Sequence, residues 1–270
     1  MKADNIFPNS KTVYGPVPSW RFGASLGIDP IFETSTCSFN CIYCQLGNIQ
    51  KVTSVVKVYV PTKKVIEDFQ EAFNKNEKID VITFSGSGEP TLAENLGDII
   101  LGIRNIAPSI PQYILTNATL LDNPAVVKNL NLLDKVILKL DAGNEESFQL
   151  INRPDEGITL EGVVQGILNF KKQYKGSIEV QTMFMPINTS DIETYANLIK
   201  KINPELVQLN TPKRAYPLSW ERENRGNHLG IHLHKTSNLK VISEDEAKGL
   251  EGKLAQMTGL NFLSVYRDNN

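Results

Sequence analysis

The chain has 270 residues, a net charge of −2, 41% apolar and 21% charged residues, which is the balance of an ordinary globular protein with room for a large core. No apolar run approaches the ~20 residues needed to cross a membrane, and the first residues, MKADNIFPNSKTVYGP, lack the apolar core of a secretory signal. The expectation is therefore a cytoplasmic protein with no membrane partner and no global field that would draw nucleic acid.

Taken in chain order, the first thirty residues are dense in Pro and Gly and read as an irregular lead-in, with a short strand near 25–28. Residues 51–60, KVTSVVKVYV, look like a strand or hairpin arm because they are rich in valine. Thr62 is expected to cap a helix reaching about Asn76, since Val65, Ile66, Phe69, Ala72 and Phe73 fall on one face. A regular alternation follows. Short apolar segments at 81–84, 113–115, 136–140, 178–184 and 206–209 resemble buried parallel strands. Between them, helices are expected over 92–105, 123–130, 157–174 and 190–202, with a last helix over 244–258 and a strand over 262–266. The pattern predicts an α/β protein, a partial TIM-like barrel of about six βα units, short of the eight that close a full barrel. One domain spanning 1–270 is expected, with a core over about 20–210 and an extension over about 211–270.

The chain's three cysteines, Cys37, Cys41 and Cys44, all lie in CSFNCIYC. An odd count in so short a loop argues against disulfides. Structural zinc usually takes four protein ligands, and His228, His232 and His234 lie far away in sequence, so zinc or inert buried thiols are the lesser alternatives. The favoured reading is one [4Fe–4S] cluster held by three thiolates, with one iron left open. Other polar signals fall at strand ends: SGSGEPTL with Ser87, Gly88 and Glu89, then Thr116 and Asn117, then Asp141, then Arg153 in INRP.

This set resembles the radical S-adenosylmethionine (radical SAM) superfamily over about residues 20–210. The resemblance rests on the C-x3-C-x2-C loop with Tyr43 before its last cysteine, and on Gly86–Pro90 as the glycine-rich motif. It implies S-adenosylmethionine (SAM) as cofactor, with Tyr43, Ser87, Gly88, Glu89, Asn117, Asp141 and Arg153 as its contacts. Asn117 and Asp141 would serve the ribose or methionyl part, and Arg153 the carboxylate. It further implies reductive cleavage of SAM to a 5′-deoxyadenosyl radical and a one-electron donor of flavodoxin or ferredoxin type. YGPVPSWRFGASLGIDP, KLDAG and VQLNTPKR are similar to an uncharacterised group of Fe–S oxidoreductases placed beside the wybutosine-synthesis enzymes.

Lys139, Gln181 and Gln208 are the candidate substrate-pocket residues, because their strand parity is compatible with the lumen. Lys139 would either pair with Asp141 or act as an amine toward substrate. The alternatives are a tRNA-modifying enzyme, a glycyl-radical activase and a non-catalytic Fe–S binding or sensor protein. The first would need a basic face built from Lys11, Arg21, Lys51, Lys57, Lys63 and Lys64, or from Lys213, Arg214, Arg222 and Arg225. The second is disfavoured because Gln45 and Leu46 stand where activases typically show a His-Asn pair.

Overall fold

The computed structural model describes residues 11–76, 78–222, 225 and 235–266. His228, His232 and His234 lie outside the described residues.

One curled sheet organises the chain. Its strands are β1 (Val13–Ser19), β2 (Gly23–Ile28), β5 (Val81–Phe84), β6 (Gln112–Thr116), β7 (Lys135–Lys139), β8 (Ser177–Met183), β9 (Leu206–Asn210) and β12 (Phe262–Ser264), adjacent in that order. From β2 to β12 every pairing is parallel, and only β1 runs antiparallel. The two outer strands do not meet, so the architecture is a partial barrel. The two-residue strands β3 (Thr36–Cys37) and β4 (Lys51–Val52) pair with each other, as do β10 (Tyr216–Pro217) and β11 (Thr236–Ser237).

The helices α1 (Thr62–Lys75), α2 (Leu96–Ile106), α3 (Pro124–Leu130), α4 (Glu145–Asn152), α5 (Leu160–Lys171), α6 (Ile192–Ile202) and α7 (Glu244–Thr258) connect these strands. Their ends follow side-chain chemistry. Asn123, Asn144 and Thr159 each accept a hydrogen bond from a first-turn amide, and Ser243 with Glu246 forms a capping box. The faces they bury meet the outward-pointing residues of the sheet, such as Ile82, Ile114, Val136, Leu138, Val180 and Val207, all essentially inaccessible.

The expected strand-and-helix alternation is present, and four local readings are corrected. The lead-in contains β1, despite Gly15, Pro16 and Pro18. Prolines are tolerated there because the strand is an edge with an irregular register between Tyr14 and Val17. Of 51–60 only Lys51–Val52 is strand. Lys57 instead exchanges backbone bonds with Leu92 and Glu94, leaving Val55 and Val58 exposed. Thr62 is the first helical residue rather than the cap, which is Pro61. Helix α4, unforeseen in the sequence, fills the space after Asp141.

The parallel strands share one direction, so their C-terminal ends gather the cysteine loop after β2, Ser85–Glu89 after β5, Asn117 after β6 and Asp141 after β7. The last segment does not stand apart, because β12 extends the sheet beside β9.

Candidate active site

The cysteine loop is clasped from two sides. On one side Thr36 donates its N–H to Ser87 O (3.0 Å) and accepts from Glu89 N (3.0 Å). The contact is so close that a Cβ on Gly88 would sit 1.7 Å from Thr36 O, so no other residue fits there. Gly86 has φ +145°, and a Cβ there would press within 2.3 Å of Asp29. On the other side Asn40 N donates to Asn152 O and Ile42 N to Ile151 O, which ties the loop to the end of α4. The cysteine loop and the glycine loop are therefore one construction, built by backbone bonds.

Cys37, Cys41 and Cys44 are half-buried and line the same cavity of about 350 Å³, together with Gly86, Gly88 and Asn117. Each sulfur sits in a defined setting. Cys37 Sγ accepts from Phe39 N (3.4 Å) and from Asn117 Nδ2 (3.6 Å), and Cys41 Sγ accepts from Asn152 Nδ2 (3.4 Å). Burial pushes the Cys41 thiol up to about 12, with help from the Asp141 charge, and the Cys44 thiol up to about 11. Cys37 is raised well above its ordinary value by burial and then by Glu89. The three cysteines are therefore thiols on their own, and a metal group must displace their protons to bind. Among the described residues no three of His, Cys, Asp and Glu converge as ligands of a single ion would.

Asp141 is the hub behind this wall. Its Oδ1 accepts from Lys139 Nζ (2.7 Å) and Met183 N (2.7 Å), and its Oδ2 from Tyr43 OH (2.5 Å) and Asn152 Nδ2 (2.8 Å). The Asp141 side chain is fully inaccessible, with four donors on its two oxygens. The four lone-pair positions of the Asp141 carboxylate, expected from the sequence to serve a cofactor ribose, are here each met by a donor of the protein. It fixes Tyr43 beside the cysteines and Lys139 in the lumen.

Glu89 is likewise turned away from the cavity. Its carboxylate accepts from Thr91 N, Thr91 Oγ1, Thr116 Oγ1 and Asn117 N, while burial raises its pKa. Ser87 is fully buried and gives both its N–H and its hydroxyl to Asp29 Oδ2. Glu89 and Ser87 hold the loop's shape, and Gly86, Gly88 and Asn117 present its surface.

Arg153, expected at the cofactor carboxylate, is exposed and stands outside the cavity lining. It takes the left-handed conformation (φ +46°) that ends α4. Its neighbour Asn152 bridges Cys41 and Asp141. An asparagine just before a helix end, in a segment already singled out for its arginine, was the available signal.

Lys139 and Gln181 line the cavity, paired in register on β7 and β8. Gln208 aligns with Gln181 on β9 but does not line the cavity, because its amide is held between Arg21 and Glu179. Of the basic residues considered for tRNA, Lys51, Lys57, Lys63, Lys213 and Arg214 are exposed, while others are engaged within the protein. Arg21 lines the lumen, Arg225 is buried against Asp29, Arg214 lines the cavity, and Lys11, Lys63 and Lys64 pair with Glu71, Glu67 and Asp68.

The radical SAM superfamily model matches residues 32–199, which contain the whole cysteine and glycine construction. The chain belongs to the radical SAM superfamily. A UPF0026 protein of Synechocystis sp. is 43% identical over 251 residues, covering 92% of this chain and 94% of that protein. Among solved structures, anSMEcpe with bound AdoMet superposes with a TM-score of 0.61 at 20% identity, covering 90% of this chain and 64% of that one. TYW1 with a lysine-pyruvate adduct bound gives 0.60 at 16% identity, covering 88% and 75%. These two likenesses show the fold. Among the described residues no helix is long and apolar enough to cross a membrane.

Proposed function

We propose that Cys37, Cys41 and Cys44 hold one [4Fe–4S] cluster and that SAM binds beside it, across Gly86, Gly88 and Asn117. The observation that carries this reading is that all three cysteines and both glycines line one cavity. When bound and reduced by a flavodoxin- or ferredoxin-type donor, the cluster supplies the electron that cleaves SAM to methionine and a 5′-deoxyadenosyl radical, which takes hydrogen from a substrate.

The chain's own residues bind, orient and exclude water. Gly86 and Gly88 leave backbone within reach of a ligand. Asn117 and Asn152 donate to Cys37 and Cys41, the kind of outer contact that tunes a cluster. Tyr43, pinned by Asp141, fixes the wall between the cysteines and the lumen. Residues 214–221 fold over the cysteine loop: Gln45 Nε2 donates to Arg214 O and Glu221 N to Leu46 O. This strap narrows the mouth and keeps bulk water from the reaction.

A cavity of this size beside the cysteines favours an enzyme over a protein that only stores a cluster. The test is electron paramagnetic resonance of the reconstituted, reduced protein under anaerobic conditions. SAM is expected to shift the cluster signal. An unchanged spectrum at saturating SAM would contradict the reading.

A further inference from the structure

The end of the lumen at the first residues of the parallel strands, opposite the cysteines, is built from charge. Arg21 enters it from the turn between β1 and β2, below the first residues of the parallel strands. Its NH1 donates to Gln208 Oε1 (3.1 Å), Gln208 Nε2 donates to Glu179 Oε2 (2.5 Å), and Lys135 occupies the other oxygen of Glu179. Gln208 Oε1 and both Glu179 oxygens thus each receive a donor. The donors are not all used: Arg21 spends a single side-chain N–H on protein, its Nε is buried without an acceptor, and the Gln181 amide has no hydrogen-bond partner among the described residues.

Charge tells the same story. The carboxylates around the lumen are matched, Asp141 by Lys139, Glu179 by Lys135 and Asp29 by Arg225. Among the described residues Arg21 has no carboxylate in contact, and the rings of Trp20 and Phe22 lie at 5.7 and 4.9 Å from its guanidinium. Burial pulls its pKa down to about 10 against the attraction of Glu179, the mark of a cation short of compensation. A second chamber of about 140 Å³, also lined by Arg21, adjoins the main cavity and gives this end room.

We propose that Arg21 and Gln181, with Gln208 orienting the guanidinium, form a subsite for an oxyanion of the substrate, a carboxylate or a phosphate, on the lumen floor facing the cysteines. A planar guanidinium fixed from one edge meets such a group with two parallel N–H bonds. A neutral or cationic substrate would leave these donors buried and unpaired. The inference rests on the radical SAM reading for the substrate's place in the lumen, and its test does not depend on turnover.

The probes are inorganic phosphate and succinate, each titrated against chloride at equal ionic strength into the reconstituted protein with SAM present. The readout is the circular-dichroism melting midpoint. At least one anion is expected to raise the midpoint saturably. Phosphate alone would indicate a phosphorylated substrate, and succinate alone a carboxylic acid. Arg21→Gln is expected to weaken that binding about tenfold or more. Gln181→Leu, which breaks no side-chain hydrogen bond among the described residues, is expected to weaken it about threefold and decides the matter if Arg21→Gln fails to fold. Neither anion acting beyond chloride, or undiminished binding in Gln181→Leu, would overturn the proposal. SAM cleavage by the unmodified protein is followed separately, so a failure of the radical SAM reading shows as no cleavage whatever the anions do.

Discussion

Cys41→Ala is expected to lose its iron and to lower SAM cleavage by at least about a hundredfold, more than is typical for residues outside the ligand set. Only three thiols line the cavity and the sequence holds no fourth, so no other thiol can replace the lost ligand. The fold should survive. Cys41 is small and half-buried, and its sulfur accepts one weak bond from Asn152 at 3.4 Å. Iron and acid-labile sulfide analysis after anaerobic reconstitution, beside a far-ultraviolet spectrum, separates ligand loss from unfolding. Full iron together with full cleavage would show that the ligands are misassigned.

Asp141→Asn should act differently, through stability first. The carboxylate accepts four hydrogen bonds and pairs with Lys139, whose side chain is 17% exposed. An asparagine keeps one acceptor oxygen and sets an NH2 group against donors, leaving Lys139 without its partner. Breaking a buried pair in this way costs about 3–5 kcal/mol. Urea unfolding of the cluster-free protein should show that loss. Were Asp141 instead a free ribose ligand, the substitution would leave unfolding nearly unchanged and weaken SAM binding alone. The experiment therefore separates the two roles.

Much of the fold is legible because periodicity reports burial. Residues 81–84 read as a strand and are one, since both their faces are covered. The same cue misleads at 51–60, where valines suggest a strand but the backbone finds partners in Leu92 and Glu94 instead of a sheet. Propensity is local, and pairing is not. The site divides along the same line. Cys37, Cys41 and Cys44 are visible because their chemistry is rare and their spacing short. Asn117, Lys139 and Gln181 are visible because strand ends and strand parity point at the lumen. Asp141 is found by position, yet the sequence does not reveal that Tyr43, Lys139, Asn152 and the Met183 amide converge on its carboxylate. Arg21 carries no motif. Its role emerges only when β1 folds back as an edge strand and the turn between β1 and β2 places its guanidinium on the floor of the lumen.

The conversion of SAM itself bears most directly on the account. Reconstituted protein, reduced with dithionite under anaerobic conditions and supplied with SAM, should release 5′-deoxyadenosine and methionine, measured by liquid chromatography and mass spectrometry. A protein carrying a full complement of iron and sulfide that yields neither product would contradict it.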